Sequence, residues 1–154
     1  MFRGDAFNTL FAPDIYRTLI DSDIVALSAA DVLKLYAKVS ETDGVGYVNN
    51  TIVPVWFEAG RRTIFKIFTP DLSFKKWRMA LVHMSVDFEF QIRFDEDAEV
   101  RTWIEHVGTK SFTVAEEIWQ EERKCATGKA IYVNFNYVTQ QSEPICNEIR
   151  QKLD

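Results

Sequence analysis

The sequence is short of the residues from which metal and disulfide chemistry is built. Its 154 residues hold two cysteines, Cys125 and Cys146, and two histidines, His83 and His106. Their spacing matches no zinc-binding pattern and no disulfide framework. The expectation is two reduced thiols, no metal and no cofactor. Positive charge is also scarce, with 18 Lys and Arg against 23 Asp and Glu, a net charge of −5 and no basic run. That balance argues against nucleic acid and anionic membrane surfaces as partners. No apolar run reaches membrane-spanning length. Asp5 and Asn8 stand where a secretory leader would need an apolar stretch, so a cytoplasmic location is expected. Internal repeats, low-complexity segments and domain linkers are missing too.

What the chain does have is aromatic mass, 14% of its residues, including 12 Phe and 4 Trp. This length suits one domain with a real core. The aromatic content points to large buried surfaces or an apolar pocket.

The pattern along the chain gives the order of elements. Pro13 to Ile20 reads as a short helix in an N-terminal extension, residues 1–31, set before a main domain at 32–154. Val32 to Val39 alternates, with Leu33, Leu35, Ala37 and Val39 on one face, as a half-buried strand does. A polar loop, Ser40 to Asn50, follows, in which Gly44 and Gly46 permit unusual backbone angles. Asn49 or Asn50 is suited to cap the helix that begins there. That helix runs to Phe68 and is apolar around much of its circumference, as a buried helix is. Pro54 falls near its first turn, and Gly60 weakens it by about 1 kcal/mol relative to Ala, which suggests close approach to another backbone. Arg61 and Arg62 mark where it meets water. From Trp77 onward the pattern is almost all strand, with Val82, Met84, Val86, Phe88 and Phe90 on one face of the first. Turns fall at Asp95–Asp97, Gly108–Thr109 and Gln120–Arg123. A short amphipathic helix, Pro144 to Leu153, closes the chain. One curved antiparallel sheet around one long helix, an α+β fold, satisfies this order.

The residue with the most chemical interest is Asp43, a loop carboxylate just before a helix N-terminus. Such a terminus presents unpaired N–H groups and partial positive charge. A carboxylate in reach of it is a starting point for acyl transfer, because the donors can hold a developing oxyanion. The plainer role is a carboxylate that caps its own turn.

The segment ETDGVGYVNNTIVPVWFEAGRR resembles the D-x-D-x-x-G-H-V-N-N-x-x-Y-x-x-x-F-E-x-A-R signature of hotdog-fold acyl-CoA thioesterases of the 4-hydroxybenzoyl-CoA type. The GTKSF turn and the CATGKAIYVNFN strand are similar to that family as well, and the resemblance spans about Val32 to Leu153. It implies a hotdog fold, a curved sheet around the helix from Asn50 to Phe68. It implies dimers or tetramers with active sites at the dimer seam, and an acyl-CoA or acyl-carrier protein substrate. Asp43 falls on the family's catalytic aspartate, which activates water or attacks the thioester carbonyl. The Asn50 backbone N–H falls on the carbonyl-polarising donor. Lys110 matches a basic residue of the nucleotide-contacting turn.

Several positions depart from the signature, two of them in the loop. Tyr47 replaces the usual His and Glu41 the leading Asp. With an unperturbed pKa of about 10, Tyr47 is no general base at neutral pH, so hydrolysis rests on Asp43. The remaining site candidates are Tyr47 and Asn49 in the loop, Glu58 and Trp56 on the helix. A buried Glu58 would have a raised pKa unless paired; it either orients water or makes a structural hydrogen bond. Trp56, Phe57, Val82 and Met84 line an acyl tunnel or pack the core. Arg61, Arg62, Lys75 and Lys76 join Lys110 as candidate phosphate contacts or solvated cations, and His83 and His106 read as structural. Two alternatives stay open: a non-catalytic acyl-thioester-binding module, which Tyr47 favours, and a dehydratase or hydratase, which the missing loop His disfavours.

Overall fold

Alternating apolar residues commit most of the chain to strands, and the strands make one antiparallel sheet. In a computed structural model of the chain, which describes residues 30–154, these are β1 (Asp31–Leu35), β2 (Met79–Phe88), β3 (Ala98–Val107), β4 (Ser111–Gln120), β5 (Arg123–Asn136) and the short β6 (Gln141–Ser142). The order across the sheet is β1-β3-β4-β5-β2, with β6 pairing β5. The helix expected at Pro13–Ile20 lies outside the described residues. Among those described, no helix is long and apolar enough to cross a membrane.

The helical segment packs on one face of the curled sheet. It begins as a 3-10 turn, Asn50–Ile52, continues as α1 (Val53–Gly60) and α2 (Arg62–Phe68), and a last helix α3 (Asn147–Leu153) ends the chain. Its buried positions, Val53, Trp56, Phe57, Gly60, Arg61, Ile64 and Phe68, follow the spacing of a single amphipathic stripe. Around α1, Val53, Trp56 and Phe57 pack with Ala98, Val100, Ile118 and Ala126. Around α2, Ile64 and Phe68 pack with Phe112, Val114, Ala130 and Tyr132. Phe68, Phe112 and Tyr132 form a stacked column.

Several expectations are corrected here. The helix is not one uninterrupted rod. At Arg61 ψ is −2° and the N–H bonds back three residues to the Glu58 carbonyl at 3.1 Å, a tighter turn than the α-helical four. Two contacts hold the break in place. A Cβ on Gly60 would come within 2.6 Å of Thr102 Oγ1 and 2.8 Å of Val100 Cγ1, so only glycine allows the helix so close to β3. Next to it, Arg61 turns inward rather than meeting water, and is buried. Its Nε and Nη2 each donate at 2.7 Å to one oxygen of Glu116 on β4, and its Nη1 donates at 2.9 Å to the Tyr132 hydroxyl.

Nor is the helix covered all round: Val55 is 60% exposed, and Glu58, Ala59, Arg62 and Lys66 lie on the same open side. Val82 and Met84, too, are exposed rather than core. The reason is topological. β2 ends the sheet order, so its outer flank has no neighbouring strand among the described residues. β1 is also shorter than the sequence suggests, because the chain leaves the sheet after Leu35 and enters a 3-10 turn at Val39–Glu41.

Candidate active site

The loop between β1 and α1 folds back on itself because glycine takes up both of its left-handed positions. Gly44 and Gly46 have φ of +84° and +95°, angles that side chains rarely adopt. The reversal lets the Asp43 N–H donate to the Tyr47 carbonyl at 2.9 Å and pairs Thr42 with Val48. The Asp43 carboxylate sits at the centre of this reversal. Its Oδ1 accepts from the Val45 N–H at 3.0 Å and the Tyr47 N–H at 3.3 Å. Both bonds fall on one oxygen, and among the described residues Oδ2 has none. Glu41, at the position of the signature's leading Asp, turns away and accepts from the Lys38 N–H at 2.8 Å.

The loop is also joined to the chain that follows β2. Val48 N–H donates to the Ile92 carbonyl at 2.8 Å and Phe94 N–H to the Gly46 carbonyl at 3.0 Å, with Tyr47 bridged to Arg93. Asn49 then starts the helix. Its side-chain oxygen accepts from the Thr51 N–H at 3.0 Å and the Thr51 hydroxyl at 2.9 Å, which makes it the N-cap. Asn50 follows as the first residue of the turn, where the backbone N–H has no partner earlier in the helix.

These pieces surround a cavity of about 400 Å³. It is lined by Asp43, Tyr47, Val48, Asn49 and Asn50 of the loop, by Val53 of α1, and by the segment Phe88 to Ile92. Asp43 is exposed at its rim. Four of the seven expected site residues are therefore gathered around one space. The other three are not. Trp56 is buried in the core beside Phe57, Glu58 faces outward from α1, and Lys110 lies in the turn at the far end of β3, where its Nζ donates to the Ser142 carbonyl at 3.3 Å. Neither histidine lines the cavity.

Sequence reasoning missed the Phe88–Ile92 wall. Phe88 and Phe90 continue the alternation of the strand, but the strand ends at Phe88 and the chain beyond it lines the cavity. It also missed the buried ion pair, although Arg61 lies on the apolar stripe of the helix and Glu116 on the apolar face of β4. Two opposite charges at core positions of facing elements need each other. Burial pushes the Glu116 carboxyl above its ordinary range against the pull of Arg61. Burial likewise works against charge on Arg61, and the bonds to Glu116 and Tyr132 more than restore it.

Comparison with known proteins bears on the family and the fold. The family model of the thioesterase-like superfamily matches residues 37–153. No curated protein matches the sequence. Among solved structures, a predicted thioesterase from Bacillus stearothermophilus is 54% identical, over 81% of this chain and 94% of its own, with a TM-score of 0.79. A thioesterase from Thermus thermophilus, solved with coenzyme A and Zn, shares the fold at 19% identity over 79% of this chain and 95% of its own, with a TM-score of 0.71. So does the 1,4-dihydroxy-2-naphthoyl-CoA thioesterase from Synechocystis, at 17% identity, 80% and 95% coverage and a TM-score of 0.68. On the match over most of its length, and on a relative identical at more than half of the aligned positions, the chain belongs to the thioesterase-like superfamily.

Proposed function

We propose that the protein hydrolyses an acyl thioester to a free acid and a thiol, with Asp43 and the start of the helix at Asn50 as its working groups. The observation that carries this is that Asp43 and Asn50, the first residue of the helical segment, line the same cavity. Hydrolysis needs an oxygen delivered to the carbonyl carbon and a donor for the oxygen that becomes negative. Asp43 supplies the first, by attack through Oδ2 or by taking a proton from the water that attacks. The Asn50 N–H supplies the second, a contribution of about 3–4 kcal/mol for one well-aimed donor. Collapse of the tetrahedral intermediate then breaks the C–S bond, and the thiolate leaves and takes up a proton; on the water route this releases the acid directly, and on the Oδ2 route it leaves an acyl–Asp43 anhydride, which a water then hydrolyses to the acid and the free carboxylate.

With Oδ1 held by two backbone N–H groups, Oδ2 is the oxygen left for chemistry. Tyr47 and Asn49 border the same space and shape it around the thioester. Coenzyme A bound to the Thermus relative favours an acyl-CoA as the substrate, with an acyl-carrier thioester sharing the same arm. A hydratase needs an acid–base pair that normally includes His, and none borders the cavity.

The working unit is a homodimer built on the free flank of β2. That flank carries exposed Leu81, Val82 and Met84, and an unpaired apolar strand edge is a template for a second strand. It is also what would bring the turn holding Lys110, remote from the cavity in its own chain, near a second one.

The test is Asp43→Asn, assayed on a panel of acyl-CoAs with a thiol-reactive dye. Turnover is expected to fall at least about 10²-fold with the oligomer intact by sedimentation. Full turnover in that variant overturns the assignment.

A further inference from the structure

Gln120 is the last residue of β4 and is fully buried. A carboxamide in that position has two donors and an acceptor to satisfy, or its burial is costly. It satisfies them on the main chain. Its Oε1 accepts from the Arg93 N–H at 2.8 Å, and its Nε2 donates to the Arg93 carbonyl at 2.8 Å and to the Glu96 carbonyl at 3.0 Å. An amide side chain carries the donor and acceptor of a peptide group, so Gln120 pairs with Arg93 as a neighbouring strand would.

The flank of Arg93 that it occupies gives this pairing its meaning. The loop meets the same segment through the two bonds on either side of the Tyr47–Arg93 bridge, Val48 N–H to the Ile92 carbonyl and Phe94 N–H to the Gly46 carbonyl. In antiparallel pairing, a residue between two such bonds turns its own N–H and carbonyl to the opposite flank. For Arg93 that flank belongs to Gln120. Ile92 to Phe94 is therefore held like a middle strand, with the loop on one flank and a single side chain of the sheet on the other. The contacts continue to the acid. Tyr47, opposite Arg93, donates its N–H to Asp43 Oδ1 at 3.3 Å, and its carbonyl accepts the Asp43 N–H at 2.9 Å. Gln120 itself does not line the cavity, so its influence there runs through these bonds.

We propose that Gln120 is a positioning residue for hydrolysis: its carboxamide fixes Arg93 and, through Tyr47, the direction in which Asp43 presents Oδ2. This rests on the thioesterase reading. The segment has little else that could fix it. Residues 89–97 form no strand, and the pair that Arg93 makes with Asp95 is half exposed or more on both sides, of a kind worth little. The three bonds of a buried amide are the firm connection between this segment and the sheet.

The experiment compares the native protein with Gln120→Met, which keeps the length of the side chain and removes all three bonds. Phe112→Leu, a core change in the apolar group around α2, is the structural control. Each is assayed on one acyl-CoA at a temperature where all three are folded. For Gln120→Met, kcat is expected to fall about 10- to 100-fold, the loss that a misplaced reacting group produces, with KM within about threefold of native. Phe112→Leu is expected to lose stability in urea and keep the native kcat. In single turnover with enzyme in excess, Asp43→Asn/Gln120→Met is expected to be within about twofold of Asp43→Asn, since residues that act as a unit do not add. In the native protein, the Arg93 amide should exchange with deuterium as slowly as the amides inside β4. The proposal is overturned by a native kcat in Gln120→Met, by a raised KM with kcat unmoved, or by an equal kcat loss in Phe112→Leu. Additive losses in the double variant, or an Arg93 amide that exchanges like an open loop, overturn it as well. Should Gln120→Met not fold, Gln120→Glu takes its place with the same expectation: its carboxylate keeps an acceptor for the Arg93 N–H and has no donor for the two carbonyls. Full turnover by Asp43→Asn alone would remove the thioesterase reading instead; a dead Asp43→Asn beside a native kcat in Gln120→Met removes only this inference.

Discussion

Arg61 grips Glu116 at both carboxylate oxygens, with side chains 1% and 0% exposed. The pair sits between the apolar group around α1 and the one around α2, at the point where the helix breaks. Such a pair is poor evidence of stability, since the desolvation it costs is repaid only by good geometry and by satisfying the remaining donors. Here Tyr132 takes one of those donors and the Met84 sulfur lies 3.9 Å from another nitrogen.

Removing half of this pair is expected to be severe. Glu116→Gln leaves the guanidinium buried without its counter-charge, a loss of about 3–5 kcal/mol. The double change Arg61→Met/Glu116→Leu removes both charges and is expected to recover most of that loss. Urea unfolding of the three proteins checks both. A Glu116→Gln protein as stable as the native one would mean that the pair is not closed in solution.

A milder effect is expected at the helix start. Asn49→Ala loses the cap on Thr51, which costs about 1 kcal/mol within a range of about 0.5–2. Because Asn50 is the next residue, turnover should fall by more than the stability loss alone would produce at a temperature where both proteins are folded. Comparing urea midpoints with kcat on one acyl-CoA separates the two effects.

The third prediction concerns acid. Glu143 accepts from Asn136 and from Arg78, and these bonds hold its carboxyl below the ordinary 4.5. A carboxyl lowered by folding stabilises the folded state fully above its unfolded value, and that help is lost as pH falls through the folded value. The stability gap between the native protein and Glu143→Gln should therefore be constant from neutral pH down to about 5 and close below the ordinary value. Urea midpoints measured across that range test it. A gap that widens in acid would have the wrong sign.

Much of the architecture could be read from alternation. Val100, Thr102 and Ile104, then Phe112, Val114, Glu116 and Ile118, declare the inner faces of β3 and β4, and the structure pairs them in antiparallel register. The loop around Asp43 was legible because glycine, acid and asparagine stand in a recognisable order. What could not be read depends on neighbours far away in sequence. Val82 and Phe88 carry the same alternation as a central strand, yet β2 is last in the sheet, and order across a sheet is not written in any one strand. Arg61 was misread because the charge of a single residue was weighed above its place on the stripe. Glu58 and Trp56, neighbours on the helix, differ in exposure for the converse reason: the helix phase decides, and one faces the sheet while the other does not.

The seam of main-chain bonds that ties Tyr47 and Val48 to Ile92 and Arg93 has one more effect. It fastens the loop that carries Asp43 to the segment after β2 by main-chain bonds, so these two parts of the lining can separate only if backbone pairs break.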